Sequence, residues 1–368
     1  MTAQVLVTGA TGYLGGLVAR RYLTRTYLTV LCPVRAADRD DLERRRAGLA
    51  ALLGPEAVDR LVTIGYDLGS ASPFGEVDPG PIVQIVHGEA NTRFSVDAAT
   101  ADAVNVRGTA AVVELAERCP RLESVGLLST LYVSGLASGP VEEAPARPAA
   151  FANEYERSKW EAERDVLDSH PGLPFRVLRT ATMVADDDLG TVTQLNVVHQ
   201  TLRLLFYGLL SLVPGEPGTP VHLTTGAFAA DGIFRLMRPE VPPGVFNLVH
   251  DTSQAPTLEQ VLDTAFAVFG TCDDFRRKRV LRPLFADRDT FALLVDAAAS
   301  LEASALHRAM ASMAPFARQL YVTKQVHNDS FAKWFPEYHD TDIVSVLERA
   351  CRYVIATRWG RRAATAER

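Results

Sequence analysis

The sequence predicts an α/β fold: a parallel, doubly wound sheet with a smaller, mostly helical C-terminal part. Three observations carry this. Up to about residue 180, short apolar runs alternate with helical patterns, the mark of strand–helix–strand units stacked into a parallel sheet. The first run, Val5-Leu6-Val7, passes through Gly9, Gly12 and Gly15 directly into a helical pattern. Beyond residue 180 the alternation stops, and from Thr257 onward the pattern is mostly helical.

The elements follow in order. Apolar runs at residues 3–8, 28–34, 61–65, 82–87, 125–129 and 175–179 read as strands, and their length and unbroken apolarity suit strands buried on both faces. Stretches 13–24, 39–53, 97–118 and 153–169 place apolar residues at helical spacing. Residues 136–150, rich in Pro, Gly and Ala, read as a loop. Leu195 to Leu212 is the most apolar long stretch, but Asn196, His199, Gln200 and Arg203 interrupt it. It therefore reads as an amphipathic helix and not as a membrane span. Pro214-Gly215-Glu216-Pro217-Gly218 is a turn cluster, and Val245 to Leu248 reads as a late strand. Ala297 to Met313 is an alanine-rich, amphipathic part of the helical pattern beyond Thr257, and Arg361 to Arg368 reads as a frayed tail. The expected division is residues 1–180, with late sheet elements near 221–250, and a helical part over 181–368.

Composition narrows the class. The 368 residues are 47% hydrophobic and 22% charged, ordinary for a globular protein with a large core. A formal net charge of −6 gives no nucleic-acid footprint. Cys32, Cys119, Cys272 and Cys351 are scattered without a Cys-x-x-Cys pair, which suggests reduced thiols in a cytoplasmic protein, with neither a disulfide frame nor a metal site. The first strand starts so early that no signal peptide is expected.

Two constellations point to chemistry. Gly9 permits a tight turn after the first strand, Gly12 lets a pyrophosphate approach the backbone, and Gly15 lets the helix pack on the strand, which together make a phosphate cradle at a helix N-terminus. Tyr155 and Lys159 stand one helical turn apart, on one face of the 153–169 helix. A phenol with a pKa near ~10 exchanges protons poorly at neutral pH, and an adjacent ammonium would lower it and make Tyr155 a general acid or base. Upstream, Ser129-Thr130 lies at the carboxyl end of a strand, where ligands sit in open parallel sheets. Thr130 is the candidate to hold a substrate carbonyl oxygen beside Tyr155; Ser129 reads as a strand-end cap. The second strand ends at Arg35, with Arg44, Arg45 and Arg46 on the next helix. Arginine there, in place of an acid, favours a 2′-phosphate over a bare ribose hydroxyl, hence NADP(H). Asp38, Asp40 and Asp41 belong to the helix N-terminus.

These motifs resemble those of the extended short-chain dehydrogenases/reductases, and within them the thioester reductase and fatty acyl-CoA reductase, or male-sterility-type, group. The matching stations are Thr8 to Gly15, Pro33-Val34-Arg35-Ala36, Tyr66-Asp67-Leu68, His87-Gly88-Glu89-Ala90, Asn105-Val106-Arg107-Gly108-Thr109, Ser129-Thr130 and Tyr155-x-x-Ser158-Lys159-Trp160-x-Ala162-Glu163. The sequence departs from the pattern at Tyr66, Glu89, Thr180 and Ala185. The resemblance covers roughly residues 1–250 and, faintly, Tyr321 to Asn328 and Phe331 to Trp334.

It implies a Rossmann-type domain and the catalytic set Thr130, Tyr155 and Lys159. For NADP(H) it implies Gly9, Thr11, Gly12, Tyr13, Leu14, Gly15, Arg35, Arg45, Asp67, Leu68, His87 and Asn105, with Asp67 at the adenine. The expected activity is NADPH-dependent reduction of an acyl thioester, on a carrier protein or coenzyme A, to an aldehyde, with a second hydride giving an alcohol. No stable membrane insertion is expected. Extended reductases or epimerases acting on ketones, hydroxysteroids or nucleotide sugars share the same residues, but the sugar epimerases usually hold NAD, against Arg35. A non-enzymatic NADP-binding protein would generally have lost the tyrosine–lysine pair.

Overall fold

A computed structural model describes residues 2–54, 59–68, 70, 72–300, 305–334 and 341–361. Its centre is a seven-stranded sheet. The strands are β1 (Gln4–Thr8), β2 (Thr29–Val34), β3 (Leu61–Gly65), β4 (Ile82–His87), β5 (Ser124–Thr130), β7 (Phe175–Thr180) and β11 (Gly244–Leu248). They lie in the order β11-β7-β5-β4-β1-β2-β3. Every neighbouring pair is parallel, so all seven carboxyl ends lie along one edge. The order reverses at β1, the switch point where a doubly wound sheet opens a crevice.

The two-residue period of the strands sorts their side chains. Val5 and Val7 face one core and Leu6 the other. On the first face pack α1 (Tyr13–Arg25), α2 (Arg39–Leu53) and α7 (Gly226–Leu236); on the second, α4 (Arg107–Arg118) and α5 (Glu154–Ser169). The expected 97–118 helix is interrupted. α3 (Ala98–Ala101) leads into a π-helical turn, Asp102–Val106, before α4 resumes, and such turns mark places where a side chain is re-aimed. Here it is Asn105, fully buried.

The third core gathers Val184, Leu202, Phe206, Leu262, Phe269, Met310, Leu347 and Val354, all from beyond residue 180. It is built by α6 (Val197–Phe206), α8 (Leu258–Phe269), α9 (Asp273–Lys278), α10 (Arg288–Ala299), α11 (Ala305–Ala317) and α13 (Ile343–Ala356), with α12 (Asp329–Trp334) packed instead beneath the sheet. Three short parallel pairs stitch the chain together: β8 (Thr182–Ala185) with β10 (Leu223–Thr225), β9 (Leu212–Pro214) with β12 (Leu284–Ala286), and β6 (Gly139–Val141) with β13 (Lys324–Val326).

The structure revises several of the bounds expected from the sequence. The helix read over Leu195 to Leu212 stops at Phe206, because Gly208 takes φ +69° and the chain then extends into β9. The 136–150 loop contains β6, and the helical C-terminal part contains β12 and β13. The alanine-rich stretch Ala297 to Met313 falls on α10 and α11, with 301–304 outside the described residues, as is the tail 362–368. No described helix is long and apolar enough to cross a membrane.

Candidate active site

The cradle is built as the glycines require. Gly9 takes φ +70°, and a Cβ there would lie 2.7 Å from the Glu89 amide nitrogen; a Cβ on Gly15 would lie 2.3 Å from Gly9 O. Both positions therefore admit glycine alone. A Cβ on Gly12 would meet only Gly9 O, at 3.2 Å, among the described residues, so this glycine leaves the approach from the cleft open. α1 has neither a side-chain cap nor an acidic residue in its first turn. Its leading amides and the positive end of its dipole await an anion. This observation, with the spared Cβ positions, is what a dinucleotide pyrophosphate requires.

At the edge beside the cradle, α5 brings up Tyr155 and Lys159. Asn153 caps this helix, its side chain accepting from the Glu156 amide at 3.0 Å. Lys159 is buried, and its Nζ donates to the Leu128 carbonyl at 2.7 Å. Burial lowers its ammonium to about 8. Burial pushes the Tyr155 phenol up to about 12, and the largest opposing influence is the hydrogen bond from Thr130. The expected lowering by Lys159 is thus not the dominant effect on Tyr155; desolvation is. The phenol stays protonated at neutral pH, so it carries the proton an acid must give, while the same burial opposes its release.

Ser129 is no strand-end cap. It is buried and donates to Glu163 Oε1, whose carboxylate also takes Arg179 Nη2 at 2.7 Å and Nε at 3.1 Å. Arg179 then donates to Glu142 O at 2.9 Å and Ala144 O at 3.0 Å. This buried pair ties α5, β5 and β7 to the loop after the catalytic strand. Asn105, aimed by the π turn, plays a similar part. Its Oδ1 accepts from the Asn91 amide at 2.7 Å and its Nδ2 donates to Ser158 Oγ at 2.8 Å, which donates onward to Tyr155 O at 3.0 Å.

One cavity of about 850 Å³ joins these parts. It is lined by Gly9, Gly12, Tyr13, Leu14 and Gly15 from the cradle, by Thr130, Tyr155 and Lys159, and by Thr182, Met183, Gln194, Asn196 and Gln200 from beyond β7. Other sequence-predicted residues lie elsewhere. The His87 ring is buried between Thr8 Oγ1 at 2.7 Å and Thr109 Oγ1 at 3.2 Å, and burial drops its pKa to about 3, so this imidazole is a neutral pin between β1 and α4. Thr11, Arg35, Arg45 and Asp67 are exposed and Leu68 half-buried. Arg45 is held by Asp41 at 3.0 Å. Arg35 acts on Glu89, whose carboxyl burial lifts to about 7 against that pull.

The sequence reading missed several lining residues. Tyr132 donates to or accepts from Thr182 Oγ1 at 3.0 Å, and its ring meets Phe94 and Phe316 edge-on. Phe94 in turn stands edge-on to Tyr155 at 5.7 Å. The Tyr13 hydroxyl crosses from the cradle to Asp186 Oδ1 at 2.7 Å, and Gly226 leaves the space for it, since a Cβ there would sit 2.4 Å away. Glu163 was legible within the Ser-Lys-Trp-x-Ala-Glu run; no local pattern announced Tyr132 or Asp186.

Comparison with known proteins gives a consistent picture. The male sterility protein family matches residues 74–233. A linear gramicidin synthase from Brevibacillus parabrevis is 29% identical over 260 residues, 64% of this chain. The chain spans only 5% of that protein's length. Among solved structures, the terminal R domain from the myxalamid PKS-NRPS biosynthetic pathway superposes with a TM-score of 0.78 at 22% identity, covering 97% of this chain and 92% of that one. A thiolation-reductase di-domain from an archaeal non-ribosomal peptide synthetase gives 0.73 at 17% identity, covering 98% and 76%.

Proposed function

We propose that this chain, whose residues 74–233 match the male sterility protein family, is an extended short-chain dehydrogenase/reductase that reduces an acyl thioester carried on a phosphopantetheine arm. The observation that carries this reading is the single cavity in which an uncapped helix N-terminus, the Thr130–Tyr155–Lys159 set and side chains from beyond residue 180 meet. The relatives named above are a gramicidin synthase subunit, a terminal R domain of a PKS-NRPS pathway and a thiolation-reductase di-domain of a non-ribosomal peptide synthetase, which favours a carrier-bound substrate over a ketone or nucleotide sugar.

A nicotinamide dinucleotide fits the cradle, with its pyrophosphate at the α1 amides. The finer reading is NADPH, with Arg35 at the 2′-phosphate, where a guanidinium can pair with two phosphate oxygens. When bound, the reduced nicotinamide supplies a hydride to the thioester carbonyl carbon. Thr130 and Tyr155 hold the carbonyl oxygen on which charge gathers, and Tyr155 gives it a proton. Lys159 would hold the ribose and, by its charge, stabilise the phenolate that Tyr155 becomes, which then regains its proton from solvent. The resulting hemithioacetal gives up its hydroxyl proton as the C–S bond breaks, and an aldehyde and a free thiol leave. A second passage would yield an alcohol.

The test is NADPH consumption, followed by absorbance, with one acyl group offered on a carrier protein, on coenzyme A, and as the free aldehyde, beside ketone and nucleotide-sugar controls. Fastest turnover on the carrier-bound thioester is expected. Turnover of a ketone or sugar with none on any thioester would overturn the reading.

A further inference from the structure

The segment faintly similar to acyl-CoA reductases, around Tyr321 to Asn328, reaches back to the reacting groups through one buried cation. Lys324, on β13, is 4% exposed. Its Nζ donates to Ser134 Oγ at 2.8 Å and to Gly135 O at 2.6 Å. Gln319, 5% exposed, donates to the same carbonyl at 3.3 Å. Ser134 closes the short helical turn Leu131–Ser134, which starts at Thr130 and carries Tyr132. Behind it, Gly135 takes φ +66°, and a Cβ would lie 2.2 Å from Ala150 O, so the elbow packs against that carbonyl and admits only glycine.

The other side of the cluster faces the tyrosine helix. Glu156, the residue after Tyr155, is fully buried. Its carboxylate accepts from the Ala152 amide at 2.9 Å and Asn153 Nδ2 at 3.2 Å, and the nearby Gln319 side chain and Lys324 charge oppose the rise that burial gives its pKa. Lysines are almost never buried unless partnered, and this one is hydrogen-bonded to the elbow on one side and feels the Glu156 charge from the other.

We propose that Lys324 is a positioning residue that, with Gln319 and Glu156, sets the placement of the Thr130–Tyr132 elbow against Tyr155. The C-terminal segment thereby belongs to the catalytic architecture and does more than close the core. The proposal rests on the reading of Thr130 and Tyr155 as the groups at the substrate carbonyl. A misplacement of about 1 Å at a reacting group costs on the order of 10²-fold in rate, so Lys324→Met should lower kcat by roughly 10- to 100-fold and leave the NADPH dissociation constant within about twofold, as the cradle is untouched.

The experiment pairs kinetics with a readout independent of turnover. Tyrosine is labelled with carbon-13 at Cζ, the Tyr155 resonance is assigned by its loss in Tyr155→Phe, and its shift is followed in Lys324→Met and Glu156→Gln. A moved Tyr155 resonance, a lowered kcat and non-additive effects in the double variant are the expected results. An unmoved resonance with kcat within about twofold in a folded Lys324→Met protein would overturn the proposal. Should Lys324→Met fail to fold, the near-isosteric Glu156→Gln and Gln319→Leu decide by the same two measurements. If the unmodified protein turns over no thioester, the functional reading fails, while the resonance still judges the placement of Tyr155.

Discussion

At the scale of single residues, Tyr155 carries the heaviest expectation. Desolvation holds its phenol protonated, so removing the hydroxyl removes the proton donor without disturbing the cradle. Tyr155→Phe should cut turnover by roughly 10²–10⁴-fold, the span of general acid–base groups, with NADPH binding unchanged by fluorescence titration. Near-full activity would refute the mechanism. Under the proposed NADPH reading, Arg35 sets the cofactor preference. It is exposed at the tip of β2 and faces the Glu89 carboxyl, whose raised pKa reflects burial first. Arg35→Ala should erase most of a preference for NADPH over NADH; equal dissociation constants in the unmodified protein would sink the assignment. Arg45 is the weaker partner for a phosphate, because Asp41 already neutralises it.

At the scale of elements, the Glu163–Arg179 pair joins α5 to β7 and, through Ser129 and two carbonyls, to β5 and the loop that follows it. Both side chains are almost wholly excluded from solvent, at 1% and 2% exposure. Removing one partner strands the other's charge in a dry interior, a loss of about 3–5 kcal/mol in comparable buried pairs. Arg179→Met should therefore lower unfolding free energy by about that much in denaturant titration. A change under about 1 kcal/mol, the scale of an exposed pair, would show the pair to be solvated. The loop is clamped from the far side too. Asn247 Nδ2 donates to Val141 O at 3.0 Å, and Glu143 takes the amides of Asn247 at 2.9 Å and Ser330 at 2.7 Å.

At the scale of the whole molecule, the active-site cavity lies between the carboxyl edge of the sheet and the chain beyond residue 180. We propose a division into a cofactor half, 1–180 with late sheet elements near 221–250, and a substrate half over 181–368. If it is right, a bound acyl or pantetheine analogue should contact α6 and the segment before it, at Gln194, Asn196 or Gln200, together with residues beyond 257 such as Phe316. A complex whose contacts all fall before residue 180 would refute a C-terminal role in substrate binding. The Tyr13–Asp186 bond is a direct link between the two halves.

The sequence by itself determined the sheet, the cradle and the tyrosine–lysine face. Each depends on neighbours in the chain: a two- or four-residue period, glycines three apart, a strand feeding a helix. Gly9 and Gly15 were legible because their backbone approach leaves no space for a Cβ. What surrounds those groups only the tertiary structure decided. His87 belongs to a motif expected at the cofactor, yet Thr8 and Thr109 hold its ring in the core. Asn105 is re-aimed by a π turn that no residue pattern announces. Lys324 and Gln319 meet Ser134 and Gly135 across more than 180 residues of chain, and Tyr13 meets Asp186 across 173. Contacts of that separation are set by how the three cores pack and not by any local period, so a buried lysine and an ordinary surface lysine look the same in the sequence.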